Sequence, residues 1–298
     1  MSDITRVGVI GAGLMGSGIA EVCARAGLHV VVREVDGAAA SVGLARIEGS
    51  LIRGVKSGKL AAPERDAALD RITVTTALED MSDRDLVIEA ASEDPELKAA
   101  LFATLDAVVK RPDAILATNT SSIPVIQVAR ATSRPEQVLG LHFFNPAPVQ
   151  RLVEVIPSVL TSDETTARAR AFTADVLGKT PIAAPDRSGF VVNALLVPYL
   201  LAAIRMVEAG HATAADIDTG MVLGCAHPMG PLKLSDLIGL DTLQSIADSL
   251  YAEYAEPLYA APPLLRRMTA AGLLGRKSGQ GFYDYTGRPG QPNERAGR

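Results

Sequence analysis

The stretch Val7-Gly8-Val9-Ile10-Gly11-Ala12-Gly13-Leu14-Met15-Gly16 decides the fold of the N-terminal half. Val7–Ile10 is a short apolar run of strand type, and the glycines after it are spaced G-x-G-x-x-G. Gly11 permits a tight turn, Gly13 lets a pyrophosphate approach the backbone, and Gly16 allows a helix to pack closely on the strand. Leu14–Ala26 has a helical pattern, and Val30–Glu34 reads as a second strand. Alone, the glycine spacing is a weak signal. Strand, glycine loop, helix and second strand in that order make a dinucleotide-binding unit, whose helix N-terminus offers N–H donors to phosphate. Gly11, Gly13, Leu14, Met15 and Gly16 are therefore expected at a cofactor.

Glu34 closes the second strand, where an acid hydrogen-bonds both ribose hydroxyls and repels a 2′-phosphate. That favours NAD over NADP. Arg33 pulls the other way, since an arginine there could hold a 2′-phosphate. Strand alternation puts the two side chains on opposite faces.

Further along, apolar runs alternate with helical stretches. Strands are expected at Ile72–Thr75, Leu86–Ala91, Ala114–Thr118, Val138–Phe144, Leu152–Ile156 and Pro181–Ala184. Helices at Gly37–Lys56 and Glu96–Lys110, with a short turn near Leu78–Met81, complete the separation of the first five strands. The rhythm predicts an α/β, Rossmann-like domain: a mainly parallel sheet with helices on both faces. The runs 138–144 and 152–156 are close enough to form an antiparallel pair. After Asp186 the pattern changes. From Gly189 to Leu274 no convincing strand occurs, and helices are expected at Phe190–Ala209, Ala214–Leu223, Leu232–Ile238, Asp241–Tyr254 and Pro263–Ala271. Thr213 can cap the second of these and Gly239 can end the third. The expected organisation is a nucleotide-binding domain over 1–186 and an all-α C-terminal domain over 187–298.

The 298 residues carry a net charge of −5, with 48% hydrophobic residues, 4% aromatic and no Trp. Small aliphatic side chains must fill the core, which suits helices on a parallel sheet. The acidic balance argues against nucleic-acid binding, and an anionic ligand would need a local cluster of cations. Cys23 and Cys225 have no metal-ligand spacing and read as small packing residues, so no metal is expected. No leader pattern opens the chain, and no apolar run approaches ~18 residues. A soluble cytoplasmic protein without membrane contact is the expectation.

The chemistry comes from Leu141-His142-Phe143-Phe144-Asn145-Pro146 and Leu152-Val153-Glu154-Val155-Ile156. One imidazole and one carboxylate lie in neighbouring apolar runs joined by a Pro-containing connection. Oxidising a secondary alcohol releases a hydride and a proton, and a nicotinamide accepts only the hydride. A group titrating near neutrality must take the proton, as an unperturbed imidazole does. A buried carboxylate beside such a ring favours its charged form and orients it. A lone His in an apolar run is most often a satisfied core residue; Glu154 is what makes His142 a catalytic candidate. Two more strand ends place polar groups after apolar runs, Glu89-Ala90-Ala91-Ser92-Glu93 and Thr118-Asn119-Thr120-Ser121-Ser122. Ligands of open α/β sheets bind beyond such ends. Ser121 could equally cap a helix starting near Ile123.

The glycine loop, Ser92-Glu93, Asn119-Thr120-Ser121-Ser122, the His142 and Glu154 segments, and Gly189-Phe190-Val191-Val192-Asn193 occur in order. His227-Pro228-Met229-Gly230-Pro231 and Gly275-Arg276-Lys277-Ser278-Gly279-Gln280-Gly281-Phe282-Tyr283 follow. Together they resemble the L-3-hydroxyacyl-CoA dehydrogenases across residues 5–285. Any one motif is modest; the ordered set is specific. The resemblance implies His142 as general acid/base, Glu154 as its partner, Ser121 bonded to the reacting oxygen, and Asn193 reaching toward that oxygen. It implies NAD, with Asn119 and Glu93 near the nicotinamide ribose and Lys98 on the cofactor side. Many relatives have a basic residue after that Asn, where this chain has Ala194. The departure bears on the cleft edge and leaves the amide in place.

A CoA thioester carries several phosphate charges. Arg53, Lys56 and Lys59 cluster near the end of the helix after Glu34, and Lys56 and Lys59 match the region where family members contact CoA. The plain alternative is a basic helix C-terminus set against the dipole. The implied activity interconverts (S)-3-hydroxyacyl-CoA and 3-oxoacyl-CoA, favouring short chains such as 3-hydroxybutyryl-CoA. The implied assembly is a homodimer through the helical domain. Two rivals stay open: a dehydrogenase of a hydroxy acid lacking CoA, such as L-gulonate or carnitine, and an NAD-binding protein without turnover. The basic cluster argues against the first. The set Ser121, His142, Glu154 and Asn193 argues against the second.

Overall fold

The structure, a computed structural model, describes residues 3–286 and 291–293. The chain divides into two units, Met1–Arg187 and Ser188–Arg298. The strands of the first unit are β1 (Arg6–Ile10), β2 (His29–Arg33), β3 (Ile72–Thr75), β4 (Leu86–Glu89), β5 (Ile115–Thr118), β6 (Val138–Phe143), β7 (Leu152–Pro157) and β8 (Thr180–Ala183). They form one sheet in the order β3-β2-β1-β4-β5-β6-β7-β8. The strands from β3 through β6 in that order are parallel, whereas β7 runs antiparallel to β6 and β8 parallel to β7. The chain moves outward from β1 to β3 and returns to β4 on the other side of β1. That reversal opens a crevice beyond the carboxyl ends of β1 and β4.

Six helices accompany the sheet: α1 (Leu14–Arg25), α2 (Gly37–Lys56), α3 (Ala62–Leu69), α4 (Pro95–Val108), α5 (Val125–Ala129) and α6 (Asp163–Ala171). β4, β5 and β6 are buried at every residue, so they read as apolar runs without alternation. Asp36 starts α2 by accepting the Ala39 N–H at 2.8 Å. Two helices, α3 and α6, have no counterpart in the sequence reading, and α5 stands where a helix start near Ile123 was expected. α3 buries only Ala68, α6 buries only Thr165 and Ala169, and α5 has 5 residues. None carries an apolar stripe long enough to show a period. α6 runs on into a π-helical turn, Phe172–Val176, whose Phe172 joins the core.

The second unit contains α7 (Val192–Glu208), α8 (Ala214–Cys225), α9 (Pro231–Ile238), α10 (Leu240–Tyr254) and α11 (Pro263–Ala270). One small antiparallel pair, β9 (Tyr283–Asp284) with β10 (Gln291–Pro292), is its only sheet among the described residues. Thr213 caps α8 by accepting the Asp216 N–H at 3.1 Å, and Gly239, at φ +100°, separates α9 from α10. Leu200, Leu201, Ile204, Leu243, Leu250 and Phe282 meet in its core. Two buried acids fasten the chain. Asp218 accepts the N–H groups of Leu232 and Lys233 and the Tyr283 hydroxyl at 2.8, 3.0 and 2.7 Å. Asp236 accepts the N–H groups of Phe282 and Tyr283 and the Tyr285 hydroxyl at 2.9, 2.9 and 3.1 Å. Burial pushes the Asp236 carboxyl up to about 6, with its hydrogen bonds opposing only in part.

Cys23 is buried, and burial pushes its thiol up to about 12. Cys225 is exposed at the end of α8, which corrects its reading as a packing residue; nearby Leu223 is exposed as well, at 79%. Among the described residues no helix is long and apolar enough to cross a membrane. No group of three or more His, Cys, Asp or Glu side chains there could hold a metal ion.

Candidate active site

The glycine loop sits at the β1 end of the crevice. Gly11 has φ +91°, and a Cβ on Gly16 would lie 1.9 Å from the Gly11 carbonyl oxygen. Both positions therefore demand glycine. Around Gly13 the space is open to 4 Å. α1 begins there with no side-chain cap and no acid in its first turn, and Leu14 is 63% exposed beside it. Glu34, immediately after β2, accepts the Ala12 N–H through one oxygen and the Val35 N–H at 3.1 Å through the other. Arg33 donates to the Thr76 carbonyl at 3.3 Å. An uncapped helix start, a glycine with open space and an acid at the next strand end fit the phosphates and ribose of a dinucleotide.

The second group of residues lies at the ends of β5, β6 and β7. Antiparallel register sets His142 directly opposite Glu154. His142 Nδ1 is 2.7 Å from Glu154 Oε2, with both side chains buried. A carboxylate accepts and does not donate, so Nδ1 carries the hydrogen. The other ring nitrogen, Nε2, lies 3.2 Å from Ser121 Oγ, and in the neutral ring it presents a lone pair there. Phe144 lies against the imidazole, ring centroids 4.6 Å apart. Asn119 accepts the Phe143 N–H at 2.9 Å, tying the end of β5 to the residue beside His142. The helix near here starts at Val125. Thr120, not Ser121, accepts the Ile123 N–H at 2.9 Å, so the Ser121 hydroxyl does not cap it.

The structure adds a third group behind Ser121. Glu89, the last residue of β4, is completely buried. Its Oε1 accepts from Lys98 Nζ at 2.5 Å and from the Ala91 N–H at 2.7 Å, and its Oε2 accepts the Thr118 hydroxyl at 2.7 Å. Lys98 is 1% exposed and also lies 3.3 Å from Glu93. It is an interior cation held between two carboxylates, rather than part of a solvated helix start. Glu93 accepts the Thr120 hydroxyl, the Ser121 N–H at 3.0 Å and the Ser122 hydroxyl at 3.2 Å. Burial works to raise the Glu93 carboxyl, but the Lys98 charge and these donors outweigh it and hold it below the usual range. Sequence reasoning places Glu89 at a strand end beside the crevice and gives it no role of its own. The signal was an acid closing the apolar run Leu86-Val87-Ile88, the same pattern that singled out Glu34.

Arg53, Lys56 and Lys59 are exposed, on the last turn of α2 and just after it. Asn193 is buried in the first turn of α7, in the second unit. Of the remaining histidines, His227 faces the Tyr199 hydroxyl at 3.2 Å.

Residues 6–187 match the family model described as the 3-hydroxyacyl-CoA dehydrogenase NAD binding domain, and residues 189–285 match that of its C-terminal domain. The chain belongs to the 3-hydroxyacyl-CoA dehydrogenase family. The cofactor of this family's first domain is NAD, in keeping with the crevice at β1. A 3-hydroxybutyryl-CoA dehydrogenase of Mycobacterium tuberculosis is 59% identical over 286 residues, spanning 96% of this chain and 100% of the relative. A crystal structure of FadB2 from M. tuberculosis superposes with a TM-score of 0.94 at 59% identity, over 95% of this chain and 99% of the other. That of (S)-3-hydroxybutyryl-CoA dehydrogenase PaaH1 from Ralstonia eutropha gives 0.90 at 45% identity, over 95% and 100%.

Proposed function

We propose that this enzyme interconverts (S)-3-hydroxyacyl-CoA and 3-oxoacyl-CoA, with 3-hydroxybutyryl-CoA and acetoacetyl-CoA as its substrate pair. The observation that carries the reading is the line Ser121–His142–Glu154, with contacts of 3.2 and 2.7 Å at opposite ring nitrogens. The relatives' names support the substrate. NAD, when bound, supplies the hydride acceptor, and NADH the donor. His142 Nε2 takes the hydroxyl proton in oxidation and returns it in reduction. Glu154 holds the ring in the tautomer this requires and stabilises the imidazolium. Ser121 donates to the reacting oxygen as charge develops on it, and Asn193 keeps the second donor role the family resemblance gives it.

Gly11, Gly13, Leu14, Met15 and Gly16 would cradle the pyrophosphate and Glu34 the ribose. Asn119 and Glu93, with Lys98 behind, would border the nicotinamide side. Lys56 and Lys59 would meet CoA phosphates. We read the assembly as a homodimer through the helical unit and the location as cytoplasmic.

The test follows absorbance at the NADH band with acetoacetyl-CoA. The expected result is fast oxidation of NADH, slow oxidation of NADPH, and no reaction with free acetoacetate. Equal turnover of free acetoacetate would move the reading to hydroxy acids lacking CoA. No turnover with any combination would overturn it.

A further inference from the structure

We infer that Glu89 is a positioning residue for proton transfer, acting through Lys98 and Glu93 on Ser121. The inference rests on the reading of Ser121 and His142 given above. Glu89 differs from the three residues before it on β4, which are apolar and equally buried. Burying a carboxylate and an ammonium together costs several kcal/mol per ion, and well-packed apolar residues often serve stability as well or better. A strand end that needed only stability has no use for the pair.

What the pair does is set a direction. Lys98 stands between Glu89 and Glu93, at 2.5 and 3.3 Å. Pulled to Lys98 by one oxygen, Glu93 turns the other onto Thr120, Ser121 and Ser122. Its bond to the Ser121 N–H fixes the backbone from which Oγ reaches His142 Nε2 at 3.2 Å. Glu89 braces the same turn from the other side, because Thr118 on β5 donates to it and also accepts the Thr120 N–H at 3.3 Å. Ionic and hydrogen bonds therefore run unbroken from Glu89 to Glu154, across the ends of β4, β5, β6 and β7. Ser121 is half-buried and Glu93 exposed, while Glu89, Lys98, His142 and Glu154 are buried. Glu89 lies buried behind the accessible hydroxyl and acts on it without meeting the substrate.

The test compares Glu89→Gln and Thr118→Val with wild type, using acetoacetyl-CoA and NADH. Glutamine keeps the shape but loses the charge that holds Lys98. Misplacing a reacting group by a fraction of an ångström lowers the rate while leaving binding largely intact. Glu89→Gln should lower kcat about tenfold or more, with the acetoacetyl-CoA KM changed less than about threefold. Thr118→Val, which removes one brace, should lower kcat about threefold with KM unchanged. Thermal unfolding and circular dichroism establish that the variants are folded at the assay temperature. A folded Glu89→Gln enzyme with wild-type kcat would overturn the inference. Should that variant not fold, a wild-type kcat in Thr118→Val would overturn it. An inactive wild type would instead overturn the functional reading itself.

Discussion

Both units bury carboxylates, and the partners differ. In the first unit, Glu154 and Glu89 face side chains that exchange or carry protons: an imidazole in one case, an ammonium and a hydroxyl in the other. In the second, Asp218 and Asp236 face the backbone N–H groups of Leu232, Lys233, Phe282 and Tyr283, with tyrosine hydroxyls beside them. A backbone amide has one protonation state, so a carboxylate held chiefly by such amides fastens the chain. An imidazole has two, so a carboxylate that accepts from it can hold chemistry in place. Burial is equally deep in the two units, and it is the partner that separates a working acid from a structural one.

The largest effect that could break this contrast is on turnover. His142→Gln, whose amide can still donate to the buried Glu154, should lower kcat by about a thousandfold, within the usual range for a lost general acid/base, and should shift Tm by no more than a few degrees. Asp236→Ala should do the reverse. It strands two backbone N–H groups and a hydroxyl, at about 1–3 kcal/mol for each buried donor left alone. Unfolding by urea should show a loss of about 3 kcal/mol or more, with kcat per folded molecule within about twofold of wild type. A crossed result, with Asp236→Ala folded but inactive, would erase the distinction between the two units.

A smaller effect sharpens it. The folded-state Asp236 carboxyl lies at about 6, raised by burial from its ordinary 3.8, with Asp218, Tyr283 and Tyr285 close by. The folded protein therefore binds more protons than the unfolded chain between those values. Its stability should fall as pH rises from about 4 to about 6, the opposite of a salt-bridged carboxylate. Asp236→Asn has no such proton to lose. The stability gap between wild type and Asp236→Asn should narrow over that window, and a gap that widened would mean that hydrogen bonds outweigh burial at this site.

The contrast also marks how far the sequence could be read. The sheet, its glycine loop and the pairing of 138–144 with 152–156 were legible because each strand is an apolar run bounded by turn residues. The facing of His142 and Glu154 needs the register as well as the pairing, and the structure supplies it. Helices α3 and α6 were not legible, since they bury too little to show a stripe, and α5, with 5 residues, is too short to show a period and is marked only by its start near Ile123. Glu89 and Lys98 were equally hidden as a pair: Lys98 stands in the first turn of α4, where a solvated cation is ordinary, and only the packing of that helix beside β4 turns it inward. Asp218 and Asp236 left no motif at all. The glycines that make room for them did: a Cβ on Gly230 would come within 2.3 Å of Asp218, and one on Gly281 within 2.1 Å of Asp236. Both glycines belong to the stretches His227–Pro231 and Gly275–Tyr283 that carry the family resemblance, and their physical reason is the acid beneath them.

The smallest expected effect concerns cations that, unlike Lys98, are exposed. Lys56 and Lys59 have no carboxylate partner among the described salt bridges, and Lys56, in the last turn of α2, sits favourably against the helix dipole. An exposed cation meeting a phosphate in water is worth up to about 1 kcal/mol, as exposed ion pairs are. The double variant Lys56→Ala/Lys59→Ala should therefore raise the acetoacetyl-CoA KM about fivefold to tenfold, leave the NADH KM unchanged, and move kcat little. Added salt should raise the wild-type KM and flatten the difference between the two proteins, because screening removes the same attraction the substitutions remove. An unchanged KM at low salt, together with a lower Tm, would place both lysines with Asp218 and Asp236 among the groups that hold the fold rather than those that meet the substrate.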